Sequence, residues 1–220
     1  MRLALINVSV GLPAPLGVWQ GEPVLSGIRK RPVPAPDIRV MKTHLDGDGQ
    51  ADLTVHGGPD KAVYAYPVDH WPWWTTEAGY DAAAASFGEN LTLQGADEED
   101  LRIGDRFSWG PDVVLEVSQP RAPCFKFALM TGREDLPGRM TASGRTGWYF
   151  RVLKQGAAPT RGRLDLVGTD PGMPTVREAF QAIFLPRVRT DVIERVLAAP
   201  ALAESWRAGL TKRLKAGGQA

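Results

Sequence analysis

Apolar and polar residues alternate with a period of two over much of the first two-thirds of the chain. The first such run, residues 3–10, places four apolar side chains on one face, namely Ala4, Ile6, Val8 and Val10. Later runs repeat the alternation at Leu53 and Val55, Leu91 and Leu93, Val113 to Val117, Trp148 to Val152, and Leu164 and Leu166. Turns rich in glycine, proline and aspartate separate these runs. Many short strands joined by such turns predict a closed or nearly closed β-barrel.

A helical spacing interrupts the strands at two places. Near residues 68–79, Trp71, Trp74 and Ala78 recur at helical intervals, and Pro67 suits the first turn of a helix. A second short helix is predicted from about Cys124 to Thr131. This helix would put the Cys124 thiol near a helix N-terminus, where the helix dipole favours an anion.

The pattern becomes wholly helical beyond the linker-like cluster at residues 168–172. Thr175 can cap a first helix with Glu178 completing a capping box, and Thr190 can cap a second. A third helix carries Leu202, Trp206, Leu210 and Leu214. We therefore predict a mainly β protein with some α structure: a β-barrel domain over residues 1–168, followed by a small three-helix C-terminal segment over residues 174–216.

Composition narrows the classes of partner. The 220 residues carry a net charge of +1, which argues against nucleic acid or an anionic membrane surface as the main partner. No stretch approaches the roughly 20 apolar residues that span a bilayer, so no membrane partner is expected. The tail contains several arginines, but acidic residues are interleaved with them, which favours a solvated face. A single cysteine fits a reducing compartment, and we expect a cytoplasmic protein.

Cys124 is the one cysteine in the sequence, and it lies between Arg121 and Lys126. It can form no internal disulfide, so any chemistry must use a single thiolate, which neighbouring cations favour by lowering the thiol pKa. The alternative is that Cys124 is a small core residue, since free cysteines are usually buried. The local motif alone leaves both interpretations open.

The segment from His56 to Lys61 is a second candidate site. Its two glycines, Gly57 and Gly58, can present backbone N–H groups to an anion, and Lys61 adds a positive charge. An ordinary glycine turn between strands explains the pattern equally well. If the cations Lys30, His56, Lys61, Arg121 and Lys126 converge, they would bind a compact anionic cofactor. Asn90 suits either a heterocycle edge or a turn.

Taken together, four segments in this order resemble the MOSC-domain family, and more narrowly its YiiM-type subgroup of 6-N-hydroxylaminopurine resistance proteins. The segments are residues 56–67 (HGGPDKAVYAYP), 88–91 (GENL), 121–124 (RAPC) and 147–153 (GWYFRVL). The acidic loop at residues 46–52 and the three-helix tail fit the same pattern. A dense cluster of Trp71, Trp73 and Trp74 departs from it.

The resemblance implies a MOSC-type β-barrel that binds a molybdenum cofactor, Mo-molybdopterin. It implies that Cys124 is the catalytic residue and the metal ligand. Lys30, His56, Gly57, Gly58, Lys61, Asn90 and Arg121 are the expected cofactor-binding residues. The implied activity is reduction of small N-hydroxylated substrates with electrons from a separate reductase, and assembly as a homodimer is left open.

Two other functions compete with this one. The runner-up is a non-redox sulfur carrier or sulfur-transfer module that holds a persulfide on Cys124. A weaker alternative is a ligand-binding barrel whose tail docks a partner. The tail contains no cysteine or histidine, so we expect it to serve docking or barrel support rather than metal chemistry.

Overall fold

The computed structural model describes residues 1–52 and 57–217. The strands of these ranges are β1 (Arg2–Val10), β2 (Ala14–Trp19), β3 (Glu22–Ser26), β4 (Arg31–Pro32), β5 (Asp37–Val40), β6 (Val63–Pro67), β7 (Leu91–Gln94), β8 (Arg106–Trp109), β9 (Val113–Pro120), β10 (Trp148–Lys154), β11 (Gly156–Pro159) and β12 (Gly162–Gly168). The α-helices are α1 (Trp71–Ala78), α2 (Phe125–Thr131), α3 (Leu136–Ser143), α4 (Val176–Phe184), α5 (Thr190–Leu197) and α6 (Glu204–Gly217).

Seven of these strands close into a ring, in the order β1, β7, β6, β10, β9, β8 and β12, and β12 pairs back with β1. This confirms the predicted barrel, in which closure leaves no unpaired edge among the ring strands. Strands β6 and β7 are parallel, whereas the other ring neighbours are antiparallel. A parallel pair needs a crossover, and helix α1 lies within it.

The period-two pattern correctly identified the buried face of most ring strands. Leu91, Leu115 and Phe150 are fully buried in the barrel core. The predicted face of β1 is wrong over its first half, because Leu3 and Leu5 are buried while Ala4 and Ile6 point outward. A β-bulge between Leu5 and Asn7 shifts the register and returns Val8 to the core. The strand predicted around Leu53 and Val55 lies outside the described residues.

Helices α4 to α6 form the predicted tail, and their buried residues join the same hydrophobic cluster as the barrel residues. Helix α4 begins with the predicted capping box, in which Thr175 and Glu178 bond each other's backbone N–H. Thr190 is not a cap: it is the first residue of α5, and Arg189 occupies the capping position without a side-chain bond. The Arg189 side chain instead pairs with Asp191.

A second, aromatic cluster lies where α1, α2 and α3 cover one flank of the barrel. Helix α1 follows a 3₁₀ turn, Val68–His70, as the helical pattern there predicted. Trp74 is fully buried, and its indole N–H donates to the Tyr66 hydroxyl at 2.5 Å. Phe87 stacks on Tyr66 with ring centroids 3.8 Å apart. This packing holds in place the part of the barrel wall that carries the candidate site. None of the helices in the described ranges is both long enough and apolar enough to cross a bilayer.

Candidate functional site

Cys124 lies where strand β9 passes into helix α2. It is the N-cap residue of that helix, with an extended backbone, and its carbonyl accepts from the Phe127 N–H at 3.0 Å. Arg121 ties the start of this connection to the neighbouring strand, because its N–H donates to the Gly147 carbonyl at 3.3 Å. The side chain of Cys124 is half-buried. The thiol is therefore held by backbone at a defined place, and it borders two cavities.

The first cavity, which we call the barrel-side cleft, is a narrow cleft with a volume of about 60 Å³. Its wall brings together the predicted residues Lys30, Asn90, Arg121 and Cys124, along with Lys126. These residues come from three separate segments of the chain: the loop at Lys30, the loop at Asn90, and residues 121–126. Three of the five cations that the sequence singled out, Lys30, Arg121 and Lys126, thus line one cleft, and their cofactor-binding role stays a prediction.

Lys30 is buried beside a carboxylate that the sequence analysis did not single out. Its side chain is 4 % exposed and forms an ion pair with Asp48, which is 1 % exposed. Asp48 also accepts from the Gly11 N–H at 2.8 Å and from the Asn90 amide at 3.0 Å. Burial lowers the pKa of Lys30, and the nearby Asp48 opposes this shift. Such a charge needs its partner, because an uncompensated buried ion is costly.

Asn90 connects this ion pair to the barrel. Its amide donates to the Ser9 carbonyl at 3.1 Å, and its side-chain oxygen accepts from the Tyr64 N–H at 3.0 Å. Both groups of the amide are therefore engaged within the protein. Asn90 therefore supports the cleft wall. The sequence pattern allowed such a structural role as well as ligand recognition.

Arg121 forms another part of the cleft wall. Nη1 donates to the Tyr64 hydroxyl at 3.1 Å and to the Phe87 carbonyl at 2.6 Å. The guanidinium also lies over the Tyr64 and Phe127 rings. Its hydrogen bonds within the described residues come from Nη1 alone, which leaves the Nε and Nη2 donors for a ligand.

Lys126 is the other cation of this cleft. It is 8 % exposed, and it has no ion pair or side-chain hydrogen bond within residues 1–52 and 57–217. A lysine in such a position differs from Lys30, whose charge is already matched by Asp48. Lys126 and Arg121 therefore provide the positive charge that the cleft can offer to an anion.

Closely packed glycines build part of the cleft floor. A Cβ on Gly27 would lie 2.3 Å from the Gly49 carbonyl oxygen and 2.7 Å from that of Gly11. A Cβ on Gly88 would lie 2.5 Å from Ile28. Three chain segments thus cross at a distance that only glycine permits, and the cleft keeps its shape through backbone contacts.

The second cavity, which we call the tail-side cavity, has a volume of about 350 Å³. It shares Ala122, Cys124 and Tyr149 with the cleft. Lys61 lies here rather than in the cleft, so the five predicted cations do not all meet in one place. Burial lowers the pKa of Lys61. The tail contributes the remaining wall, through Ile183, Phe184, Ser205 and Trp206.

The glycine loop is anchored through Asp60. Gly57 and Gly58 both have left-handed backbone angles, with φ of 80° and 83°, which glycine readily adopts. Asp60 pairs with Arg151 of β10 at 2.6 Å and accepts from the Glu204 N–H at the start of α6 at 3.1 Å. Neither glycine lines the two cavities in the described part of the chain. His56 lies outside the described residues, so its predicted role stays a prediction.

The comparisons with known proteins agree with this architecture. A model of the MOSC domain matches residues 52–163, and a model of the YiiM-like, 3-alpha helix domain matches residues 174–217. The chain is 38 % identical to the uncharacterized protein YflK of Bacillus subtilis over 96 % of this chain and 95 % of that protein. It is 34 % identical to protein YiiM of Escherichia coli over 82 % and 81 % of the two chains.

One further relative and one solved structure extend the comparison. A protein named reductase from Gibberella moniliformis is 39 % identical over 64 % of this chain, but the match spans 25 % of the fungal protein. The crystal structure of YiiM from Geobacillus stearothermophilus has a TM-score of 0.79 at 32 % identity, covering 96 % of this chain and 99 % of that one. Barrel and tail therefore occur together in this relative, in the same arrangement.

Proposed function

The chain belongs to the MOSC-domain family and carries a YiiM-like helical tail, and from that premise we propose that it is a molybdenum cofactor-dependent reductase of N-hydroxylated bases and related N–O compounds. The observation that carries the proposal is the meeting of one accessible thiol with two buried cations at the barrel-side cleft. A relative named reductase supports the broader class of activity.

The residues of the cleft fit a molybdenum cofactor bearing a pterin phosphate. Cys124 offers one soft thiolate, the donor type that suits a metal already bound by dithiolene sulfurs. Arg121 and Lys126 would hold the phosphate, with charge-assisted hydrogen bonds from their free donors. Lys30, paired with Asp48, holds the wall rather than the ligand. When bound, the cofactor supplies the two-electron redox chemistry.

The overall reaction is balanced by an external electron donor. An N-hydroxylated base takes up two electrons and two protons, the N–O bond breaks, and the amine and one water molecule are released. The electrons come from a separate reductase, which we propose because a single cysteine cannot hold a cysteine-ligated iron–sulfur cluster. The protein's own part is to present the Cys124 sulfur as a ligand at the place where the two cavities meet, in the same cleft as the fixed guanidinium of Arg121.

Metal analysis and one assay test the proposal. Protein purified from cells that make molybdopterin should contain stoichiometric molybdenum, and it should convert 6-N-hydroxylaminopurine to adenine with an artificial electron donor. A protein that holds a persulfide on Cys124 and no molybdenum would instead support the sulfur-transfer alternative. A molybdenum-loaded protein that reduces no N-hydroxylated compound would contradict the reductase.

A further inference from the structure

The two cavities that meet at Cys124 differ in chemistry. Both cavities have aromatic walls and share Tyr149, but the barrel-side cleft adds the cations Lys30, Arg121 and Lys126, whereas the tail-side cavity has the cation Lys61 and adds Phe184 and Trp206. Cys124 lies on the boundary because it lines both. A group bound to its thiolate would therefore be within reach of a molecule in the tail-side cavity.

The aromatic side chains of the tail-side cavity pack on one another. Phe184 stacks on Phe180, with ring centroids 4.5 Å apart. The ring centroids of Phe184 and Trp206 are 6.1 Å apart, and the two rings are tilted. Trp206 is 4 % exposed, and the N–H of Ala203, three residues earlier, donates to the Ser118 carbonyl of β9 at 3.0 Å. The tail is thus fixed to the strand that leads to Cys124. Aromatic faces held in this way favour planar ligands, which gain stacking energy whatever the base.

A few polar groups complete the cavity. The Gln119 amide donates one hydrogen to the Pro120 carbonyl at 3.1 Å, and its oxygen accepts from the Ser205 hydroxyl at 3.3 Å. One amide hydrogen and one oxygen lone pair of Gln119 remain for a ligand. An apolar and aromatic cavity with a small number of polar groups is the usual composition of a small-molecule site.

We propose that the tail-side cavity is the substrate site, and that Phe184 of the tail determines specificity by stacking on a planar N-hydroxylated heterocycle. This inference rests on the proposed function and adds the location of the substrate and a role for the tail. The tail is then a wall of the substrate site, which goes beyond the docking or support expected from its sequence. It supplies no ligand to the metal.

The test uses the molybdenum-loaded protein and three variants. Phe184→Leu removes the aromatic face and keeps apolar bulk, Phe184→Tyr keeps the ring, and Leu185→Ala changes an exposed neighbour that lies outside the cavity. Each protein is assayed for KM and kcat with 6-N-hydroxylaminopurine and with N-hydroxyurea, which has no aromatic ring. Calorimetric titration with adenine measures binding independently of turnover.

We expect Phe184→Leu to raise the KM for 6-N-hydroxylaminopurine and the Kd for adenine by about fivefold or more. A change in affinity of about fivefold corresponds to the lower end of the free energy that one base–aromatic stack contributes. The KM for N-hydroxyurea should stay within about twofold, and Phe184→Tyr and Leu185→Ala should resemble the parent. An unchanged Kd for adenine in Phe184→Leu, or equal effects on both substrates, would overturn the inference. Failure of the loaded parent to reduce either substrate would overturn the proposed function instead, and the adenine titration would still report on the cavity.

Discussion

The two cavities beside Cys124 are built in opposite ways. The barrel-side cleft depends on buried charges, with Lys30 held by Asp48 and Arg121 held by Tyr64 and a carbonyl oxygen. The tail-side cavity depends on packed aromatic side chains of helices α4 and α6. Buried charges are stable only as complete sets, whereas an apolar wall tolerates changes that keep its volume. The cleft should therefore be the more sensitive side of the site.

The largest effect should come from the residue that both cavities share. We expect Cys124→Ser to abolish reduction of 6-N-hydroxylaminopurine, because a serine hydroxyl is a poor ligand for a soft metal. Circular dichroism should show an unchanged fold, since the hydroxyl occupies nearly the same volume as the thiol. Full activity with bound molybdenum in this variant would remove Cys124 from the mechanism.

The next largest effect tests the buried charge set of the cleft. We expect Asp48→Ala to lower the free energy of unfolding by about 3–5 kcal/mol, because it leaves Lys30 as an uncompensated buried charge. Urea denaturation of the apo protein measures this. Asp46→Ala is the matched control, since Asp46 lies two residues away, is exposed and has no side-chain ion pair in the described part of the chain. Equal stabilities of the two variants would show that the Lys30–Asp48 pair has little importance.

A pair of lysine variants compares the two cavities directly. We expect Lys126→Ala to weaken retention of molybdopterin roughly ten- to a hundredfold, as loss of one charge-assisted hydrogen bond of about 1.5–3 kcal/mol implies. Lys61→Ala should have a smaller effect, because Lys61 lies in the tail-side cavity. Cofactor content after gel filtration is the measurement. The reverse order would assign the phosphate to the glycine loop, as the sequence predicts.

The smallest effect concerns the start of the tail. We expect Thr175→Ala to lower the free energy of unfolding by about 1 kcal/mol, because it removes the side-chain half of the capping box. Thr190→Ala should have little effect on the cap of α5, since Thr190 makes no capping bond. Thermal unfolding of the two variants side by side measures the difference. Equal losses of stability would mean that the capping box contributes nothing specific.

The sequence predicted those parts of the fold that depend on local patterns. The buried faces of β7, β9 and β10, helix α1 and the capping box of α4 all follow from spacing and composition. The predicted buried face of β1 was wrong over the first half of the strand. A bulge adds a residue there, although the alternation of apolar residues in the sequence continues unbroken. A period-two pattern carries no signal for such a bulge.

The candidate site was predictable only in part, because its contacts join distant segments. Lys30 and Asp48 are 18 residues apart, and Asp48 and Asn90 are 42 apart. Asp48 lies in an acidic loop whose pattern was visible, but nothing local shows which carboxylate will be buried against a lysine. The place of Phe184 and Trp206 beside Cys124 likewise depends on how the tail packs, which no spacing within the tail specifies.

The carboxylate of Asp60 joins the barrel to the helical tail. It binds Arg151 of the barrel and the first N–H of α6, and its own segment carries Lys61. Loss of the Asp60 carboxylate contacts would therefore release the first N–H of α6 and Arg151 of β10 together. Local unfolding often occurs in such cooperative units. We therefore expect hydrogen exchange at the Glu204 and Lys61 amides to proceed at one common rate.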